Sequence, residues 1–344
     1  MDLTLSREQR QLVETFEALY AKSSSIDVVR SAEANGGFDS SVWARAVEAG
    51  AMDMAVDEAH GGGEASLLDL ALVAEVHGRH IAPDPLVEAQ VTARLLASLD
   101  SAVADDLLAS ALEGSKLITL ALRPTTLAGV ARMVPYAPTA DHVIVHGDGV
   151  VRVVSTNDGR KLHVRNIGDL PLADVTVGER AKVLATSQSA INKAIDEWMV
   201  LTAAALVGIA SRALDIGIKY ATERHAFGTV IGAFQAVSHR LADCATAIDG
   251  ARLLVHEAAW AAAESRDRAS ELSAMAFAFA AEAARTTTQW SLHFHGGYGF
   301  MIEYDIQLYW RRAIAIPALL AEPTEVYRWV AERRHDRERR KGDS

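Results

Sequence analysis

Arg224 is followed by His225, Ala226, Phe227 and Gly228, with Gln235 a short step further on. A guanidinium fork places two charge-assisted hydrogen bonds on phosphate oxygens, so Arg224 suits a ligand that carries a pyrophosphate. Gly228 lets a helix stop and the backbone turn back, and Phe227 offers a flat apolar face to a flat ligand. Gln235 adds an amide that can hydrogen-bond a phosphate or hydroxyl edge. A second constellation, Gly296-Gly297-Tyr298-Gly299, lets main-chain amides approach a dinucleotide where a Cβ would block contact or forbid the backbone angles. Singly, each feature has a plain alternative: an exposed charge, a solvent-facing glutamine, a link between helices. The joint spacing favours the dinucleotide reading.

Other reactive residue types lead nowhere. His293 and His295 are two apart and point to different sides of a helix, and no cysteine or carboxylate completes a metal set. His77 and His80 share a helical face but lack a third ligand nearby. No metal site is expected. Cys244, the single cysteine, lies in an apolar helical stretch and reads as a buried, inert thiol. The run Gly61-Gly62-Gly63 has no strand before it and no Lys-Ser/Thr after it, so it is a loop and not a phosphate cradle.

These residues need elements to hold them. Half of the 344 residues are apolar, enough to bury a large core. Ser6 and Gln9 are spaced as a capping box ahead of Leu12, Val13, Phe16 and Leu19, and Ser66 with Asp69 repeats the pattern ahead of a helix ending near Gly78. From about Lys116 the texture becomes short and β-branched, at Leu117 to Leu122, His142 to His146, Val150 to Val154 and Leu170 to Val177. After Gly178, long Ala- and Leu-rich helical segments are expected at 187–222, 234–264, 269–295 and 322–335, suiting an antiparallel bundle. The expected fold is mainly α with a small β domain, divided as an amino-terminal helical domain over 1–114, a reduced β domain over 115–184 and a helical bundle over 185–344.

A net charge of −11 repels a polyanion over most of the surface, so no nucleic-acid partner is expected. The basic cluster from Arg333 to Lys341 is interleaved with acids and reads as a solvated helix end. No uninterrupted apolar run reaches the ~18 to 20 residues of a bilayer span, and Met1 to Ser6 lacks the features of a signal peptide, so a cytoplasmic protein is expected.

The segment Tyr220-Ala221-Thr222-Glu223-Arg224-His225-Ala226-Phe227-Gly228, with Ile231, Phe234-Gln235-Ala236-Val237 and His239, resembles the signature of the acyl-CoA dehydrogenase family. The block from His293 to Phe300, with Glu303-Tyr304, Leu308-Tyr309 and Arg311, is similar to that family's glycine turn and the helix after it. Upstream, Gly50-Ala51-Met52 and Glu75-Val76-His77-Gly78-Arg79 resemble its amino-terminal helical domain. The resemblance implies the three-part fold, FAD as cofactor, an acyl-CoA thioester as substrate and an electron-transfer acceptor. It implies FAD contacts from Arg224, Phe227, Gln235, Gly296 and Gly297, and from His293, which stands where the family commonly has a glutamine. The glycine turn then touches the adenosine half of an FAD bound mainly by a neighbouring subunit.

The family's reaction also needs a carboxylate base, and here the resemblance weakens. Glu322 occupies the matching carboxy-terminal stretch, with the tyrosine and glycine of the usual context replaced. Other members place the base on the first bundle helix, where this chain has Trp198 with Glu197 beside it, about 100° around the helix. The loop that grips the isoalloxazine reads Leu120-Ala121-Leu122-Arg123-Pro124-Thr125-Thr126, and no tryptophan occurs between Trp43 and Trp198. Half of the flavin cradle is missing while the half a neighbour lends is present. That asymmetry resembles the smaller subunit of the heterotetrameric acyl-CoA dehydrogenases of actinobacterial steroid catabolism. A second acyl-CoA dehydrogenase-like subunit is the expected partner. The alternatives are a homo-oligomer with Glu322 as base, or a structural subunit without flavin.

Overall fold

The computed structural model describes residues 4–63, 65–126, 129–156 and 161–342, with side chains described as far as Arg339. The chain is mainly helical with a small β portion. In order come helices α1 (Arg7–Ser23), α2 (Ile26–Ala34), α3 (Ser40–Glu48), α4 (Leu67–His80), α5 (Leu86–Ala97) and α6 (Ala102–Leu112). Strands β1 (Ile118–Leu120), β2 (Val130–Pro135), β3 (His142–Gly147), β4 (Val150–Ser155), β5 (Lys161–His163), β6 (Leu172–Thr176) and β7 (Lys182–Thr186) follow. Then come α7 (Gln188–Glu223), the two-residue strands β8 (His225–Ala226) and β9 (Thr229–Val230), α8 (Gln235–Ala263), α9 (Ala269–Phe294), α10 (Ile306–Ala315) and α11 (Pro323–Gly342).

These elements fall into two compact units, one of residues 1–70 with 82–198 and one of residues 71–81 with 199–344. In the first, both expected caps form. The Ser6 hydroxyl accepts from the Gln9 amide at 3.1 Å while the Gln9 side chain accepts from the Ser6 amide at 3.0 Å, and Ser66 and Asp69 make the same reciprocal pair. One sheet runs in the order β1-β3-β4-β7, with β1 parallel to β3 and the rest antiparallel; the other is antiparallel, β2-β6-β5. Alternating residues from both sheets, among them Ala131, Val134, Val143, Val145, Val154, Ala173 and Val175, make one buried cluster. Leu120, Ala121 and Leu122 are also buried, so the stretch that stands in for the isoalloxazine loop begins in the core, whereas Pro124 and Thr126 further along it are exposed.

The second unit is a bundle of small-residue helices. The face that α9 buries is largely Ala274, Ala276, Ala278, Ala280, Ala281, Ala283 and Ala284, which lets neighbouring axes come close. Closer still is the crossing of α7 with residues 71–81. A Cβ added to Gly78 would fall on the carbonyl of Ala205, and one on Gly208 would fall on the carbonyl of Glu75. Arg252 of α8 binds Glu75 beside this crossing, its Nε 3.0 Å from Oε1.

Helix α7 contains no unbroken apolar run of bilayer-spanning length, yet it is long and apolar enough to cross a membrane by length and composition, with a mean hydropathy of 1.7 over 18 residues. Of that window 72% is buried in protein, so core packing accounts for its apolar character. The basic tail is more than a solvated helix end. Arg333 donates to the carbonyl of Ser270 at 2.6 Å, and Arg337 lies 3.2 Å from the buried Glu271, fastening α11 along α9. The side chains of Arg340 and Lys341 lie outside the described residues.

Candidate functional site

Arg224 directly follows α7 and opens a hairpin of two-residue strands. Its amide is held by the Tyr220 carbonyl at 2.9 Å and its carbonyl by the Ile231 amide at 2.8 Å, which fixes the backbone on both sides. Among the described residues the exposed guanidinium has no ion-pair or hydrogen-bond partner. β8 and β9 pair through His225 with Val230 and Ala226 with Thr229, leaving Phe227 and Gly228 as the turn. Their φ values, 53° and 82°, are both left-handed, as a tight hairpin with the right twist requires. For a phenylalanine this is a disfavoured conformation, and 95% of its surface is exposed. The chain thus spends backbone strain to hold an aromatic ring in the open, which fits a residue whose contact lies outside this chain.

Gln235 begins α8, with Phe234 as the cap residue. It is exposed, and Phe234 packs edge-on against Phe227 with ring centroids 6.3 Å apart. The hairpin and the start of α8 therefore hold Arg224, Phe227 and Gln235 together.

The glycine turn, Gly296–Phe300, is a 3-10 turn at the end of α9, and its glycines differ in what they need. Gly296 has φ 60°, which favours glycine; at Gly299 a Cβ would stand 2.5 Å from the Leu292 carbonyl. Gly297 has neither reason, for a Cβ there would meet nothing within 4 Å. An open glycine of this kind leaves room for something that is not part of the chain. Gly297→Val is accordingly expected to leave folding stability within about 0.5 kcal/mol, as for a surface change, while it weakens binding of a ligand at this turn. Thermal melts and ligand titration check both halves; Gly299→Val, in contrast, should lower the melting temperature.

His293 lies exposed on the last turn of α9 and lines a cavity of about 610 Å³ with Arg285, Gln289, Trp290, Phe300 and Trp310. Trp290 meets His293 edge-on at 5.5 Å, Arg240 lies over the Trp290 ring at 5.1 Å, and Phe300 meets Trp310 at 5.2 Å. This aromatic wall was missed in the sequence; the density of Trp, Phe and Tyr from 290 to 310 is the signal that points to it. Tyr298, Phe300, Met301 and Ile302 continue it as exposed apolar residues. His295 is buried two residues from exposed His293, and among the described residues no cluster of three or more His, Cys, Asp or Glu side chains is gathered for a metal. Cys244 is buried, and burial raises its thiol pKa, so it stays protonated.

The two carboxylates are placed differently. Glu322 precedes α11 with 62% of its side chain exposed, and its nearest cation is Arg285 at 4.0 Å. Glu197 is buried, and Arg94 grips both of its oxygens, Nε to Oε2 and Nη2 to Oε1, each at 2.9 Å. A third Arg94 nitrogen donates to the Ala55 carbonyl at 2.9 Å. Trp198 beside it is fully buried, and its indole N–H donates to Glu88 at 3.2 Å. Glu322 shares no element with the hairpin or the glycine turn, and Glu197 lies on α7, 26 residues before its end.

Comparison with known proteins brings these features together. The acyl-CoA dehydrogenase N-terminal domain matches residues 6–99, and the acyl-CoA dehydrogenase C-terminal domain matches residues 179–319. The chain is 31% identical over 332 residues to "Acyl-CoA dehydrogenase IpdE2" of Mycolicibacterium smegmatis, covering 94% of this chain and 98% of that one. It is 32% identical over 336 residues to the Mycobacterium tuberculosis protein of the same name, covering 95% and 97%. Among solved structures, the Mycobacterium tuberculosis ChsE4-ChsE5 complex matches with TM-score 0.89 at 25% identity, over 96% of this chain and 98% of the matched chain. The Tcur3481-Tcur3483 steroid ACAD matches with TM-score 0.89 at 26% identity, over 97% and 99%.

Proposed function

The chain belongs to the acyl-CoA dehydrogenase family, and from that premise we propose that it is one subunit of a heteromeric, FAD-dependent enzyme that desaturates an acyl-CoA thioester to an enoyl-CoA. The observation that carries this reading is a face suited to a dinucleotide, Arg224 with Phe227 and the open Gly297, in a chain whose counterpart of the isoalloxazine loop, Leu120 to Thr126, begins with buried aliphatic residues and has no tryptophan downstream before Trp198. The residues for one half of a cofactor site are present in the sequence, while those of the isoalloxazine cradle are replaced. The similarity over nearly the whole chain to the ChsE4-ChsE5 complex and to the Tcur3481-Tcur3483 steroid ACAD supports a partner subunit, and the latter supports a bulky, steroid-derived acyl group.

The residues present fit FAD. Arg224 is a guanidinium without a partner among the described residues, suited to the pyrophosphate; Gly297 leaves the space a phosphate or ribose needs; Phe227 and His293 offer a ring and a hydrogen-bonding edge. Bound FAD supplies the hydride acceptor of the family's reaction. This chain's residues bind and orient the nucleotide end and exclude water from it, while the carboxylate that takes the substrate's α-proton comes from the partner. Glu322 is largely solvated and Glu197 is committed to Arg94, so neither is set aside for proton transfer.

The decisive experiment is expression of this chain alone and together with an acyl-CoA dehydrogenase-like candidate partner. Flavin absorbance near 450 nm and dehydrogenase turnover should appear only in the complex. Full flavin and turnover in the lone chain would replace this reading by a homomeric enzyme, and a flavin-free, inactive complex would replace it by a structural subunit. Within the active complex, Glu322→Gln is expected to keep turnover within about tenfold of the parent, whereas removing a general base costs roughly 10²- to 10⁴-fold. Steady-state rates at matched flavin content decide between them.

A further inference from the structure

The Arg224 hairpin and the glycine turn leave the ends of two different helices, α7 and α9, and a short chain of side chains ties those ends together. The helices touch at Gly217 and Ser291. A Cβ on Gly217 would stand 2.5 Å from the Ser291 hydroxyl and 3.3 Å from its Cα, so only glycine lets the two backbones come this close. Beyond that contact α7 continues for six residues and α9 for three, which carries them ~9 Å and ~5 Å onward before the loops begin.

Across that last turn, Tyr220 of α7 stacks on His295 at the end of α9, with ring centroids 4.0 Å apart and planes 26° from parallel. Each residue is also tied to the element it belongs to. Tyr220 carries the carbonyl that holds the Arg224 amide, so its backbone is the hairpin's foot. His295 is 4% exposed, and its Nδ1 lies 2.6 Å from the Ser291 carbonyl. Only a protonated Nδ1 can make that bond, which selects the tautomer. Burial lowers the His295 pKa despite this bond, so the ring is neutral at physiological pH. Tyr304 closes the other side edge-on at 5.9 Å, and Tyr298, inside the glycine turn, stacks on Tyr304 at 5.6 Å. An aromatic series thus runs from the hairpin through Tyr220, His295 and Tyr304 into the turn itself.

We propose that His295 and Tyr220 are positioning residues that set the distance between the Arg224 guanidinium and the main-chain amides around Gly296 and Gly297. The inference rests on the FAD reading above. A pyrophosphate held from two sides needs both sides at one separation, and each side here is a helix extension that could otherwise shift independently. Pre-setting the separation removes an ordering cost that binding would have to meet. Because His295 directly precedes Gly296, any tilt of its ring is passed straight to the turn.

FAD titration of the reconstituted complex tests this with His295→Ala, His295→Phe, Tyr220→Leu and the His295→Ala/Tyr220→Leu double variant, with denaturation midpoints measured alongside. Each truncating single variant should raise the FAD dissociation constant on the order of tenfold, and the double variant no more than either single, because the two rings act as one spacer. His295→Phe keeps a flat ring and should return to within about threefold of the parent. Additive losses, a parental dissociation constant in either truncating variant, or no rescue by phenylalanine would overturn the inference. If His295→Ala does not fold, Tyr220→Leu compared with and without His295→Phe carries the same test. Arg224→Ala separates the two levels. If it loses FAD while His295→Ala and Tyr220→Leu do not, the spacer is wrong and the site stands; if all three bind as the parent does, the FAD site itself is wrong.

Discussion

Arg224→Ala is expected to strip FAD from the complex without unfolding it. Removing one partner of a hydrogen-bonded charge pair costs 2–5 kcal/mol, and the exposure of Arg224 places it toward the lower end, at about 2 kcal/mol or roughly thirtyfold in affinity. Stability should change little, because among the described residues the guanidinium touches no acid and no acceptor. That combination is diagnostic, since a residue serving the fold would lose stability first. Arg224→Lys keeps the charge but not the fork and should fall between parent and alanine variant. The ratio of absorbance near 450 nm to that at 280 nm after gel filtration reads the outcome, and unchanged flavin content would remove Arg224 from the site.

The opposite pattern is expected at Glu197. Replacing it by alanine leaves Arg94, 22% exposed at its side chain, without the carboxylate that occupies two of its three nitrogens. Breaking a buried pair from one side costs 3–5 kcal/mol, and the partial exposure of Arg94 together with Lys193 at 4.0 Å points to about 3 kcal/mol. Replacing both Arg94 and Glu197 by leucine should recover much of that loss, because no charge is then left stranded. Denaturant midpoints of the two single variants and the double variant measure it. Turnover per folded enzyme should survive in Glu197→Ala. A variant of parental stability whose turnover has fallen a thousandfold would make Glu197 the base.

The contrast between these two residues also marks how far the amino-acid sequence can be read. Ser6 with Gln9 and Ser66 with Asp69 were legible because a cap is settled within four residues of chain. The long helices were legible from their apolar periodicity, and their ends were placed within a residue or two except at α11, which runs on because Arg333 and Arg337 fasten it to α9. Strands β2, β5 and β7 escaped notice because each is partly exposed, so no continuous apolar run announces them. The turn at Phe227 and Gly228 was read as a helix stop, since a phenylalanine in the first left-handed position hides a hairpin that asparagine would advertise. The residues proposed to bind FAD were legible as types and spacings. The partner of Glu197 was not, because Arg94 lies 103 residues away and nothing local marks the pair.

The crossing of residues 71–81 with α7 carries a consequence for how the protein is made. These residues emerge from the ribosome well before any of the helices they are packed among, and the entire β portion is synthesised in between. The reciprocal contact of Gly78 with Ala205 and Gly208 with Glu75 cannot form until the carboxy-terminal half has been translated. The first unit can condense while synthesis continues, whereas the second must wait with one of its own pieces already tethered upstream. A gene fragment cut before Met199 to isolate the bundle would therefore yield a groove lacking its native filler, and supplying residues 71–81 in trans is the way to complete it.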